Sequence, residues 1–132
     1  MKYSIGEFSV KTALSAPTLR YYEQEGLLSV ARDSGGRRVY TEADIAWVAF
    51  IKRLKETGMR LKEIKRYASL RYQGDSTMGE RLEILSEHRR QVEGEKLRWE
   101  QNLLRLEEKI SYYRERLAAK NKAAPHKKET GW

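Results

Sequence analysis

Apolar positions along this chain fall into two rhythms, and the change between them divides it into a head and a rod. In the head the rhythm is broken into short helical stretches, each opened by a residue able to cap a helix. Ser4-Ile5-Gly6-Glu7 has the form of a capping box: the Ser4 hydroxyl can accept from the Glu7 amide while the Glu7 carboxylate reaches back. A first helix is expected to run to about Lys11. Ser15 caps a second, with Pro17 in the first turn, where a missing N–H costs nothing. This second helix should run from Thr18 to Glu25 and stop at Gly26. Two short helices joined by a tight turn predict a helix-turn-helix.

The run Leu27 to Tyr40 has a different character. Residues 27–32 can be extended, Asp33-Ser34-Gly35-Gly36 reads as a turn, and Arg37-Arg38-Val39-Tyr40 can return as a strand, which makes a short hairpin or wing. Thr41-Glu42-Ala43-Asp44 then caps a longer helix with acids in its first turn. That helix should continue to about Thr57 with Ile45, Val48, Ile51 and Leu54 on one face, and Gly58 ends it. Leu61–Leu70 predicts one more short helix.

Gln73-Gly74-Asp75-Ser76 marks the boundary. Thr77-Met78-Gly79-Glu80 reads as a third capping box. From there Leu82, Leu85, Arg89, Val92, Lys96, Trp99, Leu103, Leu106, Ile110, Tyr113 and Leu117 alternate in steps of three and four, a heptad seam held over five repeats. Arg89 and Lys96 interrupt it with charge. At about 1.5 Å per residue, forty residues make a rod of roughly 60 Å, too long to bury its seam on a head of about seventy residues. The seam therefore calls for a second copy, with Leu82, Leu85, Val92, Trp99, Leu103, Leu106, Ile110, Tyr113 and Leu117 as dimerisation residues. The expected fold is mainly α: a winged helix-turn-helix over residues 1–73, a long coiled-coil dimerisation helix over 76–119, and a flexible polar tail over 120–132.

Charge sharpens this picture. The chain has 132 residues, 27 Lys and Arg against 19 Asp and Glu, and a formal net charge of +8. Residues 1–74 hold 14 basic against 8 acidic side chains, an excess of six, so most of the positive balance lies in the head. A basic balance favours polyanionic partners. With no cysteine there is neither a disulfide nor a thiolate site. Two histidines, His88 and His126, are too far apart on a rod to share a metal within one chain, so no metal or other cofactor is expected. No apolar run approaches the length of a membrane span, and a cytoplasmic protein without a membrane partner is the expectation. No phosphate-cradling glycine loop or paired acids suggest an enzyme.

Candidate chemistry concentrates between Ser15 and Tyr40. On the second helix Leu19 should turn inward, which leaves Thr18, Arg20 and Tyr21 outward near the helix start. An arginine can fork onto guanine or phosphate, and a tyrosine hydroxyl can reach backbone oxygens. Tyr22 reads equally as a core aromatic or as a contact. Arg37 and Arg38 make the hairpin cationic, Tyr40 ends it, and Arg60 and Lys62 lie where a further wing should form. Together Thr18, Arg20, Tyr21, Tyr22, Arg37, Arg38, Arg60 and Lys62 are the candidates for contact with double-stranded DNA. A coiled-coil adaptor without a DNA target is the alternative; it needs no salt-dependent DNA binding.

The stretches IGEFS, SAPTLRYYEQEGLL, RDSGGRRVYTEADI and FIKRLKETGMRLKEIK follow one another with short gaps, and together they resemble the DNA-binding domain of the MerR family of bacterial transcription regulators. The resemblance covers residues 3–70, and the long helix to about 118 agrees with it. It implies an antiparallel coiled-coil homodimer on a palindromic promoter site, activation by bending and untwisting an over-long promoter spacer, RNA polymerase as a partner there, and DNA contacts at Thr18, Arg20, Tyr21, Arg37, Arg38, Tyr40 and Arg60, which adds Tyr40 to the candidate set. GDSTMGERLEIL (residues 74–85) is further similar to a subgroup responding to aldehydes and other thiol-reactive electrophiles, which carries a cysteine just before the LKETGM stretch. This chain has Arg53 there, and without a thiol a covalent sensor cannot work. Metal-sensing members keep cysteines after the coiled coil, where this chain has His126 alone. Two readings of the switch stay open: an unidentified small-molecule effector held by aromatics such as Tyr67, Tyr72, Trp99, Tyr112 and Tyr113, or no effector at all.

Overall fold

The computed structural model describes residues 1–122. Its elements run β1 (Lys2–Tyr3), α1 (Ile5–Thr12), α2 (Ala16–Gln24), β2 (Ala31–Arg32), β3 (Arg38–Thr41), α3 (Glu42–Glu56), α4 (Leu61–Gln73), a 3-10 turn (Asp75–Thr77) and α5 (Met78–Asn121). Three of the helix starts follow their local chemistry. The capping boxes of Ser4 with Glu7 and of Thr41 with Asp44 both close, and Ser15 accepts from the Thr18 amide. The backbone N–H of Ser4 draws the Glu7 carboxyl below its ordinary value. The turn between α1 and α2 puts Ala13 in the left-handed region at φ 57° and closes with Ala13 N–H on the Val10 carbonyl.

The hairpin is part of a small sheet of order β1-β3-β2, antiparallel throughout, in which Tyr3 pairs with Tyr40 and Arg32 with Arg38. Strand β1 has only two residues, too few for any alternation to show in the sequence. Its register lays the N-terminus along the base of the wing, and the Tyr3 hydroxyl donates to Glu42 at the start of α3.

Phe8, Leu19, Tyr22, Leu27, Leu28, Tyr40, Val48, Ile51 and Ile64 are sealed in a single core. Phe8 stacks on Tyr40 with ring centroids 4.2 Å apart and planes within 8°. Trp47 donates its indole N–H to the Leu27 carbonyl at 2.8 Å and stacks on Tyr67 at 5.8 Å. An indole that fills the core and satisfies its own donor costs nothing in unpaired polarity.

Two compact units result, residues 1–92 and a second beginning at Glu93. The head thus reaches past the expected boundary at Gln73 and takes in the first turns of α5. Ile84, off the heptad seam, is buried in the head core, and Leu85 packs against that core. Thr77 also departs from expectation. Instead of capping α5 it is buried, and its hydroxyl donates to the carbonyls of Leu70 at 2.5 Å and Gly74 at 2.8 Å. It therefore satisfies the C-terminal carbonyls of α4 rather than the amides of α5.

In the second unit α5 continues as a helix to Asn121. Trp99, Leu103, Leu106, Ile110, Tyr113 and Leu117 lie along it 45–72% exposed. Val92 and Leu82 belong to the first unit, Val92 half-buried and Leu82 exposed. Of the expected tail, Lys120 and Asn121 are helical, and His126 and Pro125 lie outside the described residues.

Candidate nucleic-acid interface

Three sides of α2 do three different things. Leu19 and Tyr22 form the inner side, fully buried. Glu23 forms a second side facing the wing: its Oε2 accepts from Arg38 Nε at 2.6 Å and its Oε1 from Arg32 at 3.2 Å. The hydrogen bond from Arg38 to this carboxylate, assisted by its charge, raises the guanidinium above its ordinary value. Glu25 forms the third side, where it pairs with Lys65 of α4. Residues two apart on a helix point about 200° apart, so the two glutamates tie the wing and α4 to opposite flanks of one helix. Between those flanks Arg20 is exposed and Tyr21 is 43% exposed.

The wing tip is built by Asp33, whose Oδ1 accepts from the amides of Gly35 at 2.9 Å and Arg37 at 3.0 Å, with Gly36 at φ 76°. That turn leaves the Arg37 side chain exposed at the tip. Arg32 also donates to the Gly36 carbonyl at 3.0 Å, so it braces the turn. At the start of α4, Arg60 stands in the N-cap position without capping it, and both Arg60 and Lys62 are exposed. Arg60 and Lys62 border an open groove with Glu83, Glu87 and His88 of α5, and His88 meets the Thr57 hydroxyl at 2.7 Å.

Of the nine expected DNA contacts, Arg20, Tyr21, Arg37, Arg60 and Lys62 are exposed, and Thr18 is half-buried with its hydroxyl 2.9 Å from Ser15 Oγ. Two are corrected. Tyr22 is 2% exposed and serves the core. Tyr40 is fully buried against Phe8, its hydroxyl without a hydrogen-bond partner among the described residues, and burial pushes its phenol up. Neither ring has a surface to offer a duplex. Tyr40→Phe should therefore leave DNA affinity unchanged and raise stability by about 1–3 kcal/mol, since an unpaired buried hydroxyl is removed. Urea unfolding beside a DNA titration checks this; weaker DNA binding would return Tyr40 to the interface. Arg38 is held by Glu23 rather than presented openly. Sequence reasoning missed Glu23, Glu25, Arg32 and Lys65, because their pairings join different elements.

The head aromatics are already engaged. Tyr67 is buried beside Trp47 and Phe50, and the Tyr72 hydroxyl accepts from the Ser29 amide at 3.0 Å. Tyr112 and Tyr113 make an edge contact in the second unit. Among the described residues no group of His, Asp and Glu is placed to hold a metal, and no helix is long and apolar enough to cross a membrane.

Comparison with known proteins agrees with this geometry. A family described as "MerR HTH family regulatory protein" matches residues 3–70, and one described as "MerR, DNA binding" matches residues 45–111. The chain is similar to an uncharacterized HTH-type transcriptional regulator of Haemophilus influenzae, 39% identical over 114 residues, 86% of this chain and 84% of that one. It is also similar to the HTH-type transcriptional regulator YyaN of Bacillus subtilis, 36% identical over 124 residues, 84% of this chain and 90% of that one. Among solved structures it resembles HiNmlR, a MerR family regulator lacking the sensor domain, bound to promoter DNA: TM-score 0.78 and 38% identity, covering 89% of this chain and 94% of that one.

Proposed function

The chain belongs to the MerR family of helix-turn-helix transcriptional regulators, and from that premise we propose that it grips a palindromic promoter site as a homodimer, in the cytoplasm and without catalysis of its own. Each head lays α2 in the major groove, with Arg20 and Tyr21 toward the duplex, while Arg37 on the wing and Arg60 and Lys62 on α4 take backbone phosphates. The observation that carries this reading is the build of α2: a buried side, two flanks tied to wing and α4, and an exposed strip bearing Arg20 and Tyr21.

Two heads joined by their α5 helices impose one spacing on their two half-sites. The row from Trp99 to Leu117, largely exposed in the single chain, supports that joining through a second copy. Regulation follows by bending and untwisting the spacer between promoter elements, so that RNA polymerase engages both. Deformation of this kind costs several kcal/mol, supplied by phosphate contacts on both half-sites. The adaptor alternative has no comparable observation in its favour.

Selection of bound sites from a random duplex pool should enrich a two-fold-symmetric sequence. Arg20→Ala should weaken binding to that operator by about 1–3 kcal/mol and relax base preference at one position in each half-site. Equal affinity and an unchanged preference would remove Arg20 from the reading role.

A further inference from the structure

We propose that Glu23 is a specificity-determining positioning residue of the DNA interface, holding Arg32 and Arg38 back from the phosphates so that the wing meets DNA through Arg37. The inference deepens the DNA-binding reading and rests on it.

One carboxylate serves two guanidiniums here, one from each strand of the wing. Arg38 and Glu23 are about a quarter exposed and Arg32 nearly half. Ion pairs this wet contribute little to folding. Their consequence lies instead at the surface where they sit. Arg20 lies one turn from Glu23 on α2, and Arg37 neighbours Arg38 at the wing tip, so Glu23 pairs two of the four arginines carried by α2 and the wing.

Each cation that takes a phosphate releases counterions, and this sequence-independent gain makes up nearly all of non-specific binding. A wing with every arginine free would raise affinity for any duplex and narrow the margin for the operator. Glu23 makes phosphates compete with a carboxylate already in place for two of those arginines. It also fixes the hairpin against α2, through Arg38 on β3 and through Arg32, which reaches on to the Gly36 carbonyl at the tip. Among the described residues no ion pair or side-chain hydrogen bond engages the guanidinium of Arg37 or Arg20, and both side chains are exposed.

The test uses the full chain, the selected operator and a random duplex of equal length, with binding measured across a range of salt. Glu23→Gln should tighten binding to the random duplex several-fold, steepen the log–log salt slope by about two to four units, since two arginines are freed in each of the two heads at about 0.9 per phosphate, and lower the operator-to-random ratio. In that background Arg32→Gln and Arg38→Gln should each return up to about two units, one arginine being lost from each head. In the wild-type chain the same two changes should leave the slope within about half a unit, a result independent of how well Glu23→Gln folds. Overturning results are an unaltered slope in Glu23→Gln, a parallel fall in both affinities, or a full unit lost with either arginine in the wild-type chain. Loss of operator selection by the wild-type chain would instead sink the DNA-binding reading itself, which keeps the two failures apart.

Discussion

Changing Leu103 and Ile110 together to glutamate is expected to leave a folded monomer whose affinity for the operator is about 10²–10⁴-fold lower. Both side chains are about half exposed in the single chain, so the change removes no packing within it. In a dimer each would be sealed, at about 1.5–3 kcal/mol for a fully buried apolar side chain, and four introduced carboxylates would face an apolar seam without partners. The head core lies within residues 3–84 and does not include either position. Its melting and the exposure of Trp47 should therefore stay as they are. A monomer loses the intramolecular second binding event, and the estimated loss of affinity is that lost effective concentration. Light scattering gives the mass, and titration of the operator beside a single half-site gives the affinities. A dimer that persists at micromolar concentration would remove the seam from its role, and so would a monomer that binds the full operator undiminished. Cutting the chain after Leu70 is a poorer test, because it strips Thr77, Ile84 and Leu85 from the head and confounds assembly with folding.

What the sequence revealed depends on how far apart the interacting groups lie along the chain. The caps at Ser4, Ser15 and Thr41 were legible because donor and acceptor are three residues apart, and each forms. Thr77 has the same local signature, yet its hydroxyl finds the carbonyl of Leu70, seven residues back, and tertiary packing outweighs the local option. From Trp99 onward the heptad residues lie exposed on α5, as do Leu97 and Leu104 off the seam. The heptad could not show that the first turns of α5 belong to the head, because Ile84 lies off the seam and its neighbours come from earlier helices. At the candidate interface the cationic character of the wing was plain from Arg37 and Arg38. The restraint on Arg38 was not, since Glu23 stands fifteen residues earlier and on a different element. Helical period separated Leu19 from Arg20 without ambiguity. It left Tyr22 open, because an aromatic with a polar tip suits either a core or a phosphate.

The adjacent tyrosines of α2 should respond oppositely to the same substitution. Tyr22→Ala is expected to cost about 3–5 kcal/mol of stability, the range for emptying a large aromatic site in a core. Its ring is 2% exposed, with the Lys55 ammonium 5.2 Å from its centroid at the rim. Its carbonyl accepts from the amides of Leu27 and Leu28, which turn the chain out of α2 and are themselves buried. A cavity beneath the helix would loosen the platform on which Arg20 and Tyr21 stand, so operator binding should fall with the folded fraction. Tyr21→Ala has no cavity to create and should stay within about 0.5 kcal/mol of wild type in stability. It should still weaken the operator complex, because the proposed docking turns the lost hydroxyl and ring toward the duplex. Urea unfolding at one fixed protein concentration separates these effects from dimer mass action, and operator titration well below both unfolding midpoints reads the second. If Tyr22→Ala unfolds like wild type, the inward assignment of that ring fails. If Tyr21→Ala loses several kcal/mol, the outward side of α2 has been placed wrongly, and the docking of Arg20 with it.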